Sequence, residues 1–171
     1  RFSHLLNMQD NRSQLEKVII IALPGAGMEN ESIGIIKTYL SFIENLPKNF
    51  RVVVKTHPTS SRKHLEKLAV DFSNSRLEYT NVSLRKLLES ADLIISSASS
   101  VCVEAACIGV PVAIYGSRSR MTMNPMPFKI PNKIWCVFYS AEQLELFVRD
   151  SLINIVNRVS VVNKIYLNWL Q

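Results

Sequence analysis

The sequence is poor in cysteine and lacks the short motifs that mark several common enzyme classes. Its three cysteines, Cys102, Cys107 and Cys136, lie within apolar segments and do not have the spacing of metal ligands. There is no Gly-x-Ser-x-Gly elbow, no Gly-Lys-Ser/Thr end of a P-loop and no third glycine of a dinucleotide fingerprint. These absences argue against hydrolases, P-loop NTPases and nicotinamide enzymes. We expect buried, reduced thiols in a cytoplasmic protein that uses neither a metal ion nor a cofactor.

Long apolar runs are absent too. No run approaches the ~18–20 residues of a transmembrane helix, and the first residues do not form a signal peptide. A length of 171 residues suffices for one domain with its own core. The chain begins without methionine, as a fragment or an excised domain would.

Positive charge exceeds negative charge, with a formal net charge of +6. This excess is compatible with a mildly basic surface, with an anionic ligand, or with peripheral contact at the inner face of an anionic membrane. The basic residues are scattered, aromatic residues do not interleave with them, and no recognition motif for nucleic acid occurs. We therefore do not expect a nucleic-acid partner.

Short apolar runs alternate with amphipathic segments along the chain. Strands are predicted at residues 18–23, 52–54, 77–79, 93–95, 111–115 and 134–138. Helices are predicted between them, at 29–46, after Ser60 or Ser61, after Ser83, from the serines at 96–100 to Gly109, and after Ser140. This alternation predicts an α/β fold with a doubly wound, Rossmann-like parallel sheet and helices on both faces. We expect a lead-in at 1–16, this domain at 17–153 and a C-terminal helix at 154–171.

Four polar segments follow predicted strands, at residues 24–27, 56–58, 96–100 and 116–118. In a doubly wound sheet, ligands bind at the carboxyl ends of the strands. The four segments should therefore converge on one edge of the sheet, where we expect a binding site.

The serine-rich segment is the most informative of the four. Ser97, Ser99 and Ser100 begin a predicted helix, whose first turn has unpaired N–H groups and the positive end of the helix dipole, so a phosphate would bind there. Glu104, one turn further on, is an acceptor suited to sugar hydroxyls and is costly to bury without a partner. The alternatives are a plain helix cap for the serines and a solvent-facing position for Glu104.

His57 is the candidate for proton transfer. Pro58 favours an extended conformation at His57 and holds its imidazole at the end of a strand, where the ring would donate to a phosphate oxygen or protonate a leaving phosphate. Lys55 alternates with His57 on the strand and adds positive charge. The alternative is a histidine bonded to the local backbone.

Two further segments carry weaker signals. The turn formed by Gly25, Ala26 and Gly27 would let a phosphate approach, but a tight strand-to-helix turn needs no ligand. Arg118, within a basic irregular stretch, would meet a diphosphate or an anionic acceptor if it is not simply solvated.

Two motifs together carry a family resemblance. Lys-x-His-Pro follows one strand, and Ser-x-Ser-Ser-x-x-x-Glu-Ala-x-x-x-Gly-x-Pro follows a later one. This combination resembles the carboxyl-terminal, donor-binding half of GT-B fold glycosyltransferases, over about residues 17–153. Bacterial surface-polysaccharide enzymes are the nearer likeness, including capsule and lipopolysaccharide transferases, bacterial sialyltransferases and glycerophosphotransferases of teichoic acid synthesis.

The resemblance implies a role for each matched residue. The turn at 25–27 would face the donor phosphates, His57 would contact the phosphate or leaving group, Ser99 and Ser100 would hold phosphate, and Glu104 would accept from the ribose hydroxyls. The donor would be a nucleotide-activated sugar, with CMP or CDP favoured slightly over UDP and no metal required. The catalytic base would come from an amino-terminal domain that is not in this chain.

Two alternatives stay open. A UDP-N-acetylhexosamine 2-epimerase shares the fold and the serine and glutamate region. A non-catalytic nucleotide-binding or assembly module would keep the fold without the chemistry.

Overall fold

The computed structural model describes residues 16–46, 49–71, 76–117 and 121–153. In these residues six parallel strands form one sheet in the order β3-β2-β1-β4-β5-β6. The strands are β1 (Lys17–Ala22), β2 (Phe50–Lys55), β3 (Leu77–Thr80), β4 (Leu93–Ser96), β5 (Val112–Tyr115) and β6 (Trp135–Phe138). All six predicted strands are present, and the expected doubly wound parallel sheet is confirmed.

In the described part of the chain, five α-helices connect or follow these strands. They are α1 (Glu29–Leu40), α2 (Arg62–Asp71), α3 (Leu84–Ser90), α4 (Ser100–Cys107) and α5 (Ala141–Ile153). Short 3-10 turns occupy Ile43–Asn45 and Asn132–Ile134. The long connection between β5 and β6 has no other regular element among its described residues, as its prolines predict.

Each face of the sheet has its own hydrophobic core. Ile19 and Ile21 of β1 pack on one side with α1 and α5, while Ile20 and Ala22 pack on the other with α3 and α4. Because neighbouring strand residues point to opposite faces, a strand covered on both sides must be apolar at every position. This requirement explains the unbroken apolar run in β1.

The first helix is shorter than the pattern predicts. The apolar spacing extends to Leu46, but α1 ends at Leu40, where the Ser41 hydroxyl donates to the Thr38 carbonyl at 2.7 Å. The 3-10 turn then brings Phe42, Ile43 and Leu46 into the core. The last apolar residues of the pattern are therefore buried by a 3-10 turn and not by a longer α-helix.

Helix caps follow the prediction only in part. Ser61 accepts from the His64 N–H at 3.2 Å and Ser140 from the Gln143 N–H at 3.3 Å, so both act as side-chain caps. Ser83 precedes α3 without a side-chain cap. Apart from Glu16, the predicted lead-in at 1–16 and the predicted helix at 154–171 lie outside the described residues.

The cysteines are free, and burial governs their chemistry. Cys102 is buried, and Cys107 and Cys136 are partly exposed. Burial raises the pKa of Cys102 to about 11 and that of Cys136 to about 12, so both thiols are protonated at neutral pH. Within the described ranges, no cluster of side chains suits a metal ion, and no helix has the length and apolarity needed to span a membrane.

Candidate functional site

The point where the sheet reverses its winding lies between β1 and β4. Helix α1 leaves β1 over one face, and α4 leaves β4 over the other. Crevices of this kind at the carboxyl ends of strands are where α/β sheets bind ligands. The glycine turn after β1 and the serine segment after β4 therefore flank the expected crevice.

Hydrogen bonds between neighbouring strands fix this edge. The Ser96 hydroxyl donates to the Ala22 carbonyl at 2.8 Å and joins the ends of β4 and β1. The Leu23 N–H donates to the Lys55 carbonyl at 2.9 Å and joins β1 to β2. The loops after the three strands consequently start from a rigid platform. Ser96, one of the four serines at 96–100, thus stabilises the sheet itself.

The glycine turn and the His57 loop are in direct contact. A Cβ atom on Gly25 would lie 2.7 Å from Thr59 Oγ1 and 3.0 Å from His57 Nδ1, so any larger residue would require these side chains to move. The Ala26 N–H donates to Thr59 Oγ1 at 3.2 Å. Two of the predicted segments are therefore brought together, and Gly25 has a packing reason to be glycine.

Thr59 sets the hydrogen-bonding state of His57. The Thr59 N–H donates to His57 Nδ1 at 3.2 Å, and the Thr59 hydroxyl lies 2.8 Å from the same nitrogen. An Nδ1 that accepts is unprotonated, so the neutral ring carries its proton on Nε2. The His57 side chain is exposed, and its Nε2–H is the ring's donor. The local backbone bond considered above therefore exists, and it orients the ring.

A carboxylate occupies part of the glycine turn. Gly27, in the left-handed region at φ 84°, donates its N–H to Glu29 Oε1 at 3.1 Å. Hydrogen bonds from the backbone N–H groups of Glu29 and Gly27 lower the pKa of the Glu29 carboxyl. One N–H of the turn predicted to face phosphate is thus already paired with an anion. Sequence reasoning missed Glu29, although acidic residues in a first helical turn are common.

The serines at the start of α4 differ in their surroundings. Ser97 is buried, and its hydroxyl has no partner among the described residues. Ser99 is the N-cap residue, in an extended conformation, and makes no side-chain cap bond. Ser100 is exposed. Capping therefore does not explain these serines, and the first turn of α4 keeps N–H groups that no serine side chain takes.

The remaining predicted site residues are Glu104, Lys55 and Arg118. Glu104 is partly exposed on α4, one turn beyond Ser100, and its charge adds to the burial that raises the pKa of Cys107. Lys55 is partly exposed at the end of β2. Arg118 lies outside the described residues.

A groove of about 400 Å³ lies between two of the helices. It runs between the second half of α1 and the start of α5, with Lys37, Tyr115, Tyr139 and Glu142 among its lining residues. None of the predicted site residues lines it. Among the described residues, the contacts at this edge add Thr59 and Glu29 to the predicted set.

This chain is similar in fold to several solved structures. The sequence matches no protein-family model and no curated protein. Among solved structures it is similar to WaaG, a glycosyltransferase of lipopolysaccharide biosynthesis, with a TM-score of 0.62 and 18% identity over 93% of this chain and 44% of that one.

Two further structures show the same likeness. The wall teichoic acid polymerase TagF gives a TM-score of 0.54 at 18% identity over 99% of this chain and 40% of that one. A Listeria monocytogenes protein assigned as a UDP-N-acetylglucosamine 2-epimerase gives a TM-score of 0.60 at 14% identity. The match covers 90% of this chain and 42% of that one.

These similarities confirm the expected fold. The chain is a doubly wound domain of the kind that forms one half of GT-B proteins. It spans less than half the length of each of these structures. At identities of 14–18%, the structural similarity establishes the fold alone. The activity must be argued from the site.

Proposed function

We propose that this chain is the donor-binding, carboxyl-terminal domain of a nucleotide-sugar-dependent glycosyltransferase. The observation that carries the proposal is the contact between the turn at Gly25 and the His57–Thr59 pair, on the edge where α4 begins. The pair orients an N–H donor at the same edge of the sheet as the N-terminus of α4, and both are groups that bind phosphate.

The proposed donor lies in the crevice between β1 and β4. Its phosphate is held by the first turn of α4 at Ser99 and Ser100, and its ribose hydroxyls donate to Glu104. Because Glu29 already pairs with the Gly27 N–H, we place the main phosphate contact at α4 rather than at the turn of Gly25, Ala26 and Gly27. Lys55, Ser97 and Arg118 complete the proposed donor set.

His57 acts on the leaving group in this proposal. When the bond between the sugar carbon and the phosphate oxygen breaks, negative charge develops on that oxygen. The His57 Nε2–H donates to this oxygen and stabilises the charge, while Thr59 holds the ring through Nδ1. A base that activates the acceptor hydroxyl is supplied from outside this chain.

The wider assignment is bacterial surface-polysaccharide synthesis in the cytoplasm. It is supported by the sequence resemblance and by the similarity in fold to WaaG and TagF. The chain spans 44% of WaaG and 40% of TagF, which leaves room for an amino-terminal domain that binds the acceptor. A CMP- or CDP-activated donor, without a metal ion or cofactor, is part of the proposal.

Calorimetric titration with CMP, CDP, UDP and GDP tests the donor site. We expect binding of a cytidine nucleotide, weakened about 10- to 100-fold by Glu104→Ala, as for lost charged hydrogen bonds. Glu145→Ala is the matched control, because this carboxylate pairs on the surface of α5 with Arg149. The absence of heat with all four nucleotides up to millimolar concentration would contradict the proposal.

Half of a UDP-N-acetylglucosamine 2-epimerase is the second candidate. It is favoured by the fold similarity to the Listeria monocytogenes protein and to the UDP complex of S. aureus MnaA, at a TM-score of 0.56. Selective binding of UDP, with an epimerised sugar product from the longer protein, would identify this activity.

A further inference from the structure

The groove between α1 and α5 contains two tyrosine side chains. Tyr115 ends β5, Tyr139 follows β6, and both line the groove together with Lys37 near the end of α1. The volume of about 400 Å³ falls within the roughly 300–1,000 Å³ that small-molecule sites occupy. Aromatic rings with a few polar groups are the usual lining of such sites. The groove therefore has the size and the composition of a ligand site.

Two glycines leave room for the tyrosine rings. A Cβ atom on Gly34 would collide with the Tyr115 hydroxyl and lie 2.7 Å from Tyr115 Cζ, and one on Gly116 would lie 2.6 Å from Tyr139 Cδ1. Neither glycine has the positive φ that by itself favours this residue. Gly34 also lies inside α1, where glycine is less favourable than alanine. The positions of the two rings therefore explain both glycines.

Hydrogen bonds fix the backbone around Tyr139. The Gly116 N–H donates to the Phe138 carbonyl at 2.8 Å and joins the ends of β5 and β6. The Tyr139 N–H donates to Gln143 Oε1 at 2.7 Å, and the Gln143 N–H donates to Ser140 Oγ at 3.3 Å. These two bonds resemble a capping box at the start of α5. The Tyr139 ring is therefore attached to a fixed backbone, although it is 41% exposed.

Two donors in the groove have no partner among the described residues. The Tyr115 hydroxyl makes no hydrogen bond there, and the Lys37 ammonium makes no ion pair. Glu142 contributes a carboxylate to the same lining. A positive and a negative group together do not favour an ion of either sign, and free polar groups do not favour an apolar ligand. The lining is complementary to a neutral ligand that accepts and donates hydrogen bonds and has an apolar face for Tyr139.

We propose that this groove binds a neutral saccharide. One pyranose ring would pack its C–H groups on the exposed part of the Tyr139 ring. Its hydroxyl oxygens would accept from the Tyr115 hydroxyl and from Lys37, and one of its hydroxyls would donate to Glu142. None of the described residues of the proposed donor set lines the groove. The inference is therefore independent of the nucleotide site.

Two neutral trisaccharides, chitotriose and maltotriose, test the proposal. We expect at least one of them to bind in calorimetry and to shift the NMR signals of residues around the groove. Tyr139→Ala should weaken this binding about three- to tenfold, as for one lost aromatic contact. Tyr115→Phe keeps the ring and should weaken it by a similar factor, as for one hydrogen bond. No binding of either trisaccharide up to millimolar concentration would overturn the proposal.

Tyr79 provides the matched control for Tyr139. It lies on β3, at the opposite edge of the sheet from β6, and is 39% exposed, against 41% for Tyr139. Tyr79→Ala should bind the trisaccharide like the unaltered protein. An equal loss in Tyr79→Ala and Tyr139→Ala would show unspecific stacking on exposed rings and would overturn the assignment to the groove.

Lys37 distinguishes a saccharide site from an anion site. Lys37→Gln removes the charge and keeps N–H donors, so affinity for the trisaccharide should remain within about threefold, whereas Lys37→Met should lower it about three- to tenfold. Lys86→Met, at an exposed position of α3, is the control and should have no effect. Displacement of the trisaccharide by inorganic phosphate, or an equal loss in the two Lys37 variants, would show an anion site and contradict a neutral ligand.

Gly34→Ala changes the shape of the groove without removing a polar group. The added Cβ displaces the Tyr115 ring, so trisaccharide affinity should fall at least as much as in Tyr115→Phe. Circular dichroism verifies that the variant is folded. Unchanged affinity in both Gly34→Ala and Tyr115→Phe would exclude Tyr115 from the site and overturn the proposed geometry.

Discussion

At the scale of single residues, the site depends on small side chains that orient larger ones. Thr59 accepts from the Ala26 N–H and contacts His57 Nδ1, so it links the glycine turn to the imidazole. Glu29 pairs with the Gly27 N–H on the other side of the same turn. Without Thr59, the His57 ring would lose the hydrogen bonds at Nδ1 that orient it. Without Glu29, the Gly27 N–H would lose its side-chain acceptor.

Replacing Thr59 tests the orientation of His57. Thr59→Val removes the hydroxyl and keeps the backbone N–H, whereas Thr59→Ser keeps both. We expect nucleotide affinity to fall about three- to tenfold in Thr59→Val, as for one hydrogen bond, and to remain in Thr59→Ser. Nitrogen chemical shifts of His57 should report the Nε2–H form in the unaltered protein and a mixture in Thr59→Val. Unchanged shifts would show that the backbone bond alone suffices.

Glu29 predicts an effect of acid on stability. Its pKa is lowered in the folded protein, so its contribution is present above the unfolded value of about 4.5 and is lost as pH falls through the folded value. Glu29→Gln should therefore be less stable than the unaltered protein at pH 7, with the difference shrinking below pH 4. Urea unfolding at several pH values measures this difference. A difference that grows in acid would contradict the assignment.

At the scale of elements, the central strand β1 contributes to both hydrophobic cores. Ile20 and Ile21 are fully buried on opposite faces of β1, in separate cores. The fold therefore needs both cores at once, and β1 belongs to each. Helices α1 and α4 are positioned by these cores, so the crevice between them depends on the same packing.

Truncation of β1 residues should be costly. Ile20→Ala and Ile21→Ala should each lower the free energy of unfolding by about 2–5 kcal/mol, as for other buried isoleucines. Val82→Ala, at a half-exposed position before α3, should change it by less than about 0.5 kcal/mol. Urea unfolding followed by circular dichroism provides the comparison. A small effect at either isoleucine would mean that its core relaxes around the cavity.

The sequence predicts elements better than it predicts the contacts between them. Strands and helices follow from apolar period, and the shared edge of the loops follows from the handedness of parallel crossovers. The bond from Ser96 to Ala22 joins residues 74 positions apart. The contact of Gly25 with Thr59 joins the loops that follow two neighbouring strands, β1 and β2. No local pattern encodes such contacts. The pairing of Gly27 with Glu29 is local, but a turn alone does not reveal which acceptor takes its N–H.

At the scale of the whole molecule, the proposed function assigns one side of an active site to this chain. The crevice between β1 and β4 opens at an edge of the sheet, and the proposed donor set contains no carboxylate placed as a base for an acceptor. The similar structures are more than twice as long as this chain. Under the proposed function, donor binding and sugar transfer should therefore separate: this chain would bind the donor, and transfer would also require the proposed amino-terminal domain.

His57 provides the test at this scale. In the longer protein, His57→Ala should lower kcat by ~10²–10⁴, because a proton donor to the leaving phosphate is lost from the transition state. Nucleotide affinity of the same variant should change less than tenfold, since the first turn of α4 still holds the phosphate. Nucleotide release measures kcat, and calorimetry measures affinity. If both fall equally, His57 is a binding residue only; if neither changes, its bonds to Thr59 are purely structural.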